Sequence, residues 1–201
     1  MLQNLGSQTK KILWIFICGC LVKSTLPNAW NIAFVYPVPK PKPWEYDLNN
    51  TRPITLLECP RKAIVKLINN RLLNILSEHQ ALKGYNFAGL PHRSTKDPIF
   101  ILDHIKNDAQ FNCNQLWILF QDMSKAYDRV NLGMLYKALL RLKLPNDFIG
   151  LISSLFAFWF NQVITAHGIT PTFPVLSGID QGEIISLILW YIYFDPLLCW
   201  A

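Results

Sequence analysis

Residues 119–130 read LFQDMSKAYDRV, with Asp122 and Asp128 six positions apart just after a run of large apolar residues. Upstream, residues 115–121 (QLWILFQ) carry large apolar side chains at odd and even positions alike. That pattern predicts a strand covered on both faces. A carboxylate at the C-terminal end of such a strand is placed to hold a divalent cation or to cap the SKAYD turn that follows. Asp128 is read as structural, capping the helix from Asn131 or pairing with Arg129. Tyr127 is an aromatic near Asp122, with packing in the core as its plainer role.

Around this stretch the elements alternate. Residues 36–53 (YPVPKPKPWEYDLNNTRP) hold five of the thirteen prolines and predict an extended segment and a loop, with Asp47, Asn49 and Asn50 supplying turn chemistry. Pro60 to Ser77 predicts a helix that buries Ile64, Leu67, Ile68, Leu72, Ile75 and Leu76. Lys62, Lys66 and Asn69 fall on its outer side, where they are either solvated or set along a phosphate backbone. Residues 82–98 read as a polar loop, with Thr95 or Asp97 capping a helix over 98–109. Helices are expected over 132–142 and 148–160, strands within 162–177, and an apolar helix after Gly182. This order is α+β.

In 177–186 (SGIDQGEIIS), two glycines bracket Gln181 before that last helix. Gln181 can donate and accept at a sugar hydroxyl, and Gly182 permits close approach of a flat group to the backbone. Lys40, Lys42 and Arg52 make the proline-stiffened segment basic. Arg52 is a fork suited to phosphate oxygens or, more simply, an exposed loop arginine.

With 51% apolar and 16% charged residues, the chain is not a disordered one. Residues 1–100 hold 13 Lys and Arg against 5 Asp and Glu; residues 101–201 hold 6 against 8. A basic half joined to a mildly acidic half points to a polyanion and a cation as partners. Cys18, Cys20, Cys59, Cys113 and Cys199 form no CxxC pair, so neither a zinc site nor a disulfide framework is expected. Lys10 and Lys11 before residues 12–22 (ILWIFICGCLV) imitate a secretory leader. The run is too short to span a bilayer, and no small-residue cleavage site follows. A buried helix is expected there, in an intracellular protein (cytoplasm or nucleus) that is not secreted and has no stable membrane association.

The order RPITLL (52–57), FQDMSKAYD (120–128), SGIDQGEIIS (177–186) resembles the reverse transcriptase domain, above all that of non-LTR (LINE-type) retrotransposons. WNIAFVYPVPK (30–40) is similar to its first fingers strand, and NFAGLPHRSTKDPIF (86–100) to the block before the aspartate strand. The resemblance implies the fingers and partial palm of a right-hand polymerase. Residues 1–26 would be an N-terminal apolar helix region, 27–110 mainly fingers and 111–201 mainly an incomplete palm. It implies that Asp122 binds metal beside the Met123 backbone, that Arg52 and Lys40 meet the triphosphate, and that Tyr127 screens the ribose 2′ position. Gln181 and Gly182 would lie under sugar and base, with Lys62, Lys66 and Arg93 along the template. Its partners would be an RNA template, a DNA primer and deoxynucleotides, and its cofactor Mg²⁺ in the complete enzyme.

Two departures accompany it. No Asp-Asp pair occurs, although the family's third palm block carries one, and Leu187 stands where proline is usual after Ser186. The expectation is therefore a fragment of an RNA-directed DNA polymerase, inactive by itself, missing the third palm motif and thumb. The alternative is a non-catalytic nucleic-acid-binding remnant.

Overall fold

The computed structural model describes residues 4–43, 45–83, 87, 90 and 94–200. Among the described residues six α-helices run in chain order: α1 (Ser7–Val22), α2 (Cys59–Glu78), α3 (Lys96–Phe111), α4 (Leu132–Arg141), α5 (Asn146–Phe156) and α6 (Ser186–Leu198). Five strands form one sheet: β1 (Ile32–Pro39), β2 (Thr51–Leu56), β3 (Phe160–Thr165), β4 (Gly168–Ile169) and β5 (Phe173–Pro174).

β1 is the hub of the sheet. It pairs antiparallel with β2, Val35 opposite Thr55 and Val38 opposite Arg52. It pairs parallel with β3, Ile32 opposite Phe160. β4 and β5 add antiparallel pairs to β3. The loop between β1 and β2 folds by the turn chemistry its sequence offers. The Asp47 carboxylate accepts from the Asn49 N–H at 2.9 Å, and Asn50 Nδ2 donates to the Pro43 carbonyl at 3.1 Å. The prolines of β1, Pro37 and Pro39, lie beyond the Ile32–Val35 stretch that pairs with β3, where the strand has β2 on one side only.

A single hydrophobic cluster runs from Ile17 of α1 through α2, α4 and α5 to Ile192 of α6. α4 starts as expected, with Asn131 as its cap: its side chain accepts from the Met134 N–H at 3.0 Å. Asp128 therefore does not cap that helix. α5 ends earlier than the apolar pattern suggests, because the chain reverses through Phe158 (φ +52°) and enters β3.

Three expectations fail. The first is the strand over 115–121: it is irregular and exposed, with Trp117 at 90% and Phe120 at 80% of full exposure. A strand needs a neighbour for its backbone groups, and among the described residues no strand pairs with this one. The second is the buried N-terminal helix. α1 buries Ile17 and Cys20 only, while Ile12, Trp14, Ile15 and Val22 face outward. Its apolar residues surround the helix, so one packing face cannot cover them.

The third is the orientation of α2. Leu67 and Ile75 are exposed, and Arg61 and Asn69 are buried with Ile64, Val65, Ile68, Leu72 and Leu76. Arg61 lies in helical phase with Ile64, Val65 and Ile68, and the partners described below make its burial tolerable. Among the described residues, no helix is long and apolar enough to cross a membrane.

Candidate nucleotide-binding site

Two loops that the sequence singles out meet at the backbone. The Gly178 N–H donates to the Val130 carbonyl and the Ile179 N–H to the Tyr127 carbonyl, each at 3.0 Å. Gly178 has φ +94°, and a Cβ there would sit 2.9 Å from the Asp128 Cα, so glycine is required on both counts. These contacts fasten the turn of residues 177–183 beside the Tyr127–Arg129 turn.

The other side of the 177–183 turn rests on β2. A Cβ on Gly182 would collide with the Thr55 carbonyl oxygen and stand 3.1 Å from the Thr55 Cβ. The Gly182 N–H donates to Asp180 Oδ1 at 2.9 Å, closing the turn on itself. Burial raises the Asp180 carboxyl above its ordinary range, opposed by the Gly182 N–H, a Thr55 hydrogen bond and the charges of Arg61 and Lys62. A small cleft of about 110 Å³ opens between the loops and the sheet, lined by Pro53, Thr55, Asp128, Asn161, Asp180 and Gln181 among others.

Beneath the turn lies a charged knot that sequence reasoning missed. Arg61 Nε donates to Glu183 Oε2 at 2.8 Å, with the two side chains 1% and 0% exposed. Arg61 Nη1 donates to the Trp30 carbonyl at 2.7 Å and Nη2 to the Leu155 carbonyl at 3.2 Å. The guanidinium carbon lies 4.2 Å from the centre of the Trp159 ring. Burial pulls the Arg61 guanidinium below its usual range and pushes the Glu183 carboxyl above its own, while each partner's charge resists. The signal available in the sequence was the phase of Arg61 on α2, one turn before Ile64 and Val65.

The other candidates are dispersed. Asp122 is exposed in irregular chain, and among the described residues nothing hydrogen-bonds to its carboxylate. Met123 lines a separate, mostly apolar groove of about 640 Å³ with Met134, Trp190, Phe194 and Leu197. Tyr127 packs edge-on to Trp190, ring centres 6.3 Å apart, and burial raises its phenol. Arg52 is exposed on β2, in alternation with Pro53 and Thr55, and so on the strand face away from the cleft. Lys40 Nζ donates to the Asn49 carbonyl at 2.8 Å. Lys66 is exposed and Lys62 half-buried on α2. Arg93 lies outside the described residues.

A metal centre is not assembled. Among the described residues no group of three or more His, Cys, Asp or Glu side chains is gathered to hold an ion. Asp122 by itself does not fit a two-ion site, which needs bridging carboxylates from more than one segment.

Residues 38–201 match the family model described as reverse transcriptase (RNA-dependent DNA polymerase). The chain belongs to the reverse transcriptase family. Its relatives place it with the non-LTR, LINE-type enzymes. It is 27% identical, over 86% of its length and 19% of the relative's, to a probable RNA-directed DNA polymerase from transposon BS of Drosophila melanogaster. It is 26% identical to the RNA-directed DNA polymerase from mobile element jockey of the same species, over 96% of this chain and 21% of that protein. A Pol polyprotein from the type-1 retrotransposable element R2 of Popillia japonica is 24% identical over 89% of this chain and 25% of its own. The reverse transcriptase chain thus spans about a fifth of the length of the first two relatives. Its fold is similar to that of apo telomerase from Candida tropicalis truncated from the C-terminal domain. That likeness has a TM-score of 0.53 at 15% identity and covers 87% of this chain and 40% of that one. The partial right-hand polymerase fold follows from the family match and this likeness together.

Proposed function

We propose that this chain is the part of a retrotransposon RNA-directed DNA polymerase that receives the incoming deoxynucleotide and the template, with residues 27–110 as mainly fingers and 111–201 as mainly palm. One observation carries the reading. The Gln181–Gly182 turn is seated on the backbone of Thr55, in the strand that also carries Arg52 and Pro53, and the two enclose a cleft. At about 110 Å³ this cleft is smaller than the roughly 300–1,000 Å³ of a typical ligand pocket, so it takes one end of a nucleotide and not the whole.

In this reading Gln181 and Gly182 meet sugar and base, Lys40 the phosphates, and Tyr127 screens the 2′ position; Arg52, on the face of β2 away from the cleft, is not part of it. Lys62, Lys66 and Arg93 lie along the template backbone. Asp122, beside the Met123 backbone, supplies one of the carboxylates of a Mg²⁺ centre in the complete enzyme. These residues without further carboxylates do not extend a primer.

The test has two parts. Binding of a fluorescent deoxyadenosine triphosphate is measured by anisotropy, and expected to weaken on Gln181→Ala. Binding of an RNA–DNA primer-template is titrated against salt, and its affinity should fall steeply as salt rises, because binding releases condensed counterions. Salt-insensitive duplex binding together with no nucleotide binding would sink the proposal. A second reading, a nucleic-acid-binding remnant without chemistry, is favoured by the isolation of Asp122. It predicts duplex binding that is indifferent to Mg²⁺ and to Asp122→Ala, with no nucleotide binding.

A further inference from the structure

The buried arginine of α2 is joined to four separated parts of the chain. It reaches Trp30 ahead of β1, Leu155 in α5, the Trp159 ring before β3, and Glu183 in the turn after Gln181 and Gly182. Each guanidinium nitrogen has a partner, so the group has no freedom to rotate without leaving a buried carbonyl or carboxylate unpaired. Glu183 is in turn fixed by its own backbone. Its N–H donates to the Asp180 carbonyl at 3.3 Å, and its carbonyl accepts from the Ser186 N–H at 3.1 Å. The peptide carrying Gln181 and Gly182 is therefore held between two points, Asp180 and Glu183, and of the two Glu183 makes the ion pair to the rigid core.

We infer that Arg61 is a positioning residue for the nucleotide cleft: acting through Glu183, it presses the Gln181–Gly182 turn onto Thr55 and sets where Gln181 stands at the cleft. The inference rests on the nucleotide-binding reading and deepens it. Its geometric content is specific. Gly182 approaches Thr55 more closely than any residue with a side chain could, and such an approach persists only where something holds the two backbones together. The 177–183 turn carries no other ion pair among the described residues. A lysine in place of Arg61 would keep the charge but lose the fork that reaches Glu183 and two carbonyls together.

The experiment compares wild type with Arg61→Lys, Glu183→Gln and, as a control for lost stability alone, Arg141→Ala. The control breaks the other ion pair, Arg141 Nη2 to Asp195 Oδ2, whose partners do not line the cleft. Fluorescent deoxyadenosine triphosphate binding is measured at a temperature where circular dichroism shows every variant folded, and amide exchange is followed at Gln181, Gly182 and Glu183. Arg61→Lys and Glu183→Gln are expected to bind the probe roughly ten- to a hundredfold more weakly. They should also exchange faster at those three amides, with α4 amides at wild-type rates. Arg141→Ala should lose thermal stability and keep wild-type binding. Wild-type affinity and exchange in both test variants would overturn the inference while leaving the nucleotide reading intact. If the wild type binds no probe, the nucleotide reading falls, and the exchange arm alone decides whether Arg61 holds the turn: local loosening supports it, unchanged rates overturn it.

Discussion

The segment around Asp122 and the turn around Gln181 are equally legible as motifs, and they fold differently. Residues 115–123 are irregular and exposed despite being the more apolar of the two. Residues 177–186 are polar and glycine-rich, yet Ile179, Glu183, Ile185 and Ser186 are buried. What separates them is supply of partners. The 177–183 turn has the Tyr127 and Val130 carbonyls, the Thr55 backbone and the Arg61 guanidinium waiting for it. The Asp122 segment has no strand beside it among the described residues. Hydrophobicity gives a segment a reason to be covered, but hydrogen-bond partners and a neighbouring element decide whether it is.

The 177–183 turn is most vulnerable at Arg61. Arg61→Ala leaves the Glu183 carboxylate buried without its counter-charge, and should cost about 3–5 kcal/mol in urea denaturation. A loss below about 1 kcal/mol would mean that the turn is held by its backbone contacts alone. Next in size is Gly182→Ala. The new methyl meets the Thr55 backbone, which cannot rotate away as a side chain would, and roughly 1–3 kcal/mol should be lost on the same assay.

A smaller effect sharpens the electrostatics. Because burial raises the Asp180 carboxyl, the folded chain keeps a proton that the unfolded chain has released between the ordinary carboxylate range and the raised value. Stability from this group is therefore full at acid pH and falls as pH rises through that window. Asp180→Asn should flatten the fall in denaturation midpoints seen as pH rises above the ordinary carboxylate range. A remainder should persist from Glu183, which is shifted the same way. The smallest effect belongs to the other region. Asp122→Asn, on an exposed carboxylate, should change stability by no more than about 0.5 kcal/mol. A larger change would show that the segment is packed in solution, and would end the contrast between the two regions.

Much of the architecture was legible because its determinants are local. The periodicity of α2 and α4, the proline-rich approach to β2 and the glycine and proline breaks of β3 to β5 all stand within a few residues of what they shape. Distance along the chain hid the rest. Nothing local to Arg61 says that Glu183, 122 residues later, faces it. Leu67 and Ile75 read as core for the same reason, since rotating the helix to bury Arg61 turns them outward. Of the candidate residues, Gln181 lines a cleft and Tyr127 packs against Trp190. Asp122 was assigned a strand end that did not form.

The 122-residue span between Arg61 and Glu183 also has a consequence for synthesis. At about 5–20 residues per second, a ribosome takes roughly 6–25 s to travel from one to the other. Throughout that interval α2 carries a cation on its apolar face with no carboxylate to meet it, and β1 lacks β3 for most of the same time. The nascent half therefore cannot settle into its final packing early, and a ribosome that stalls before Glu183 releases a chain whose core is charged at its centre. Synthesis of Glu183, and not collapse of the first half, is the event that lets Arg61 take its final place.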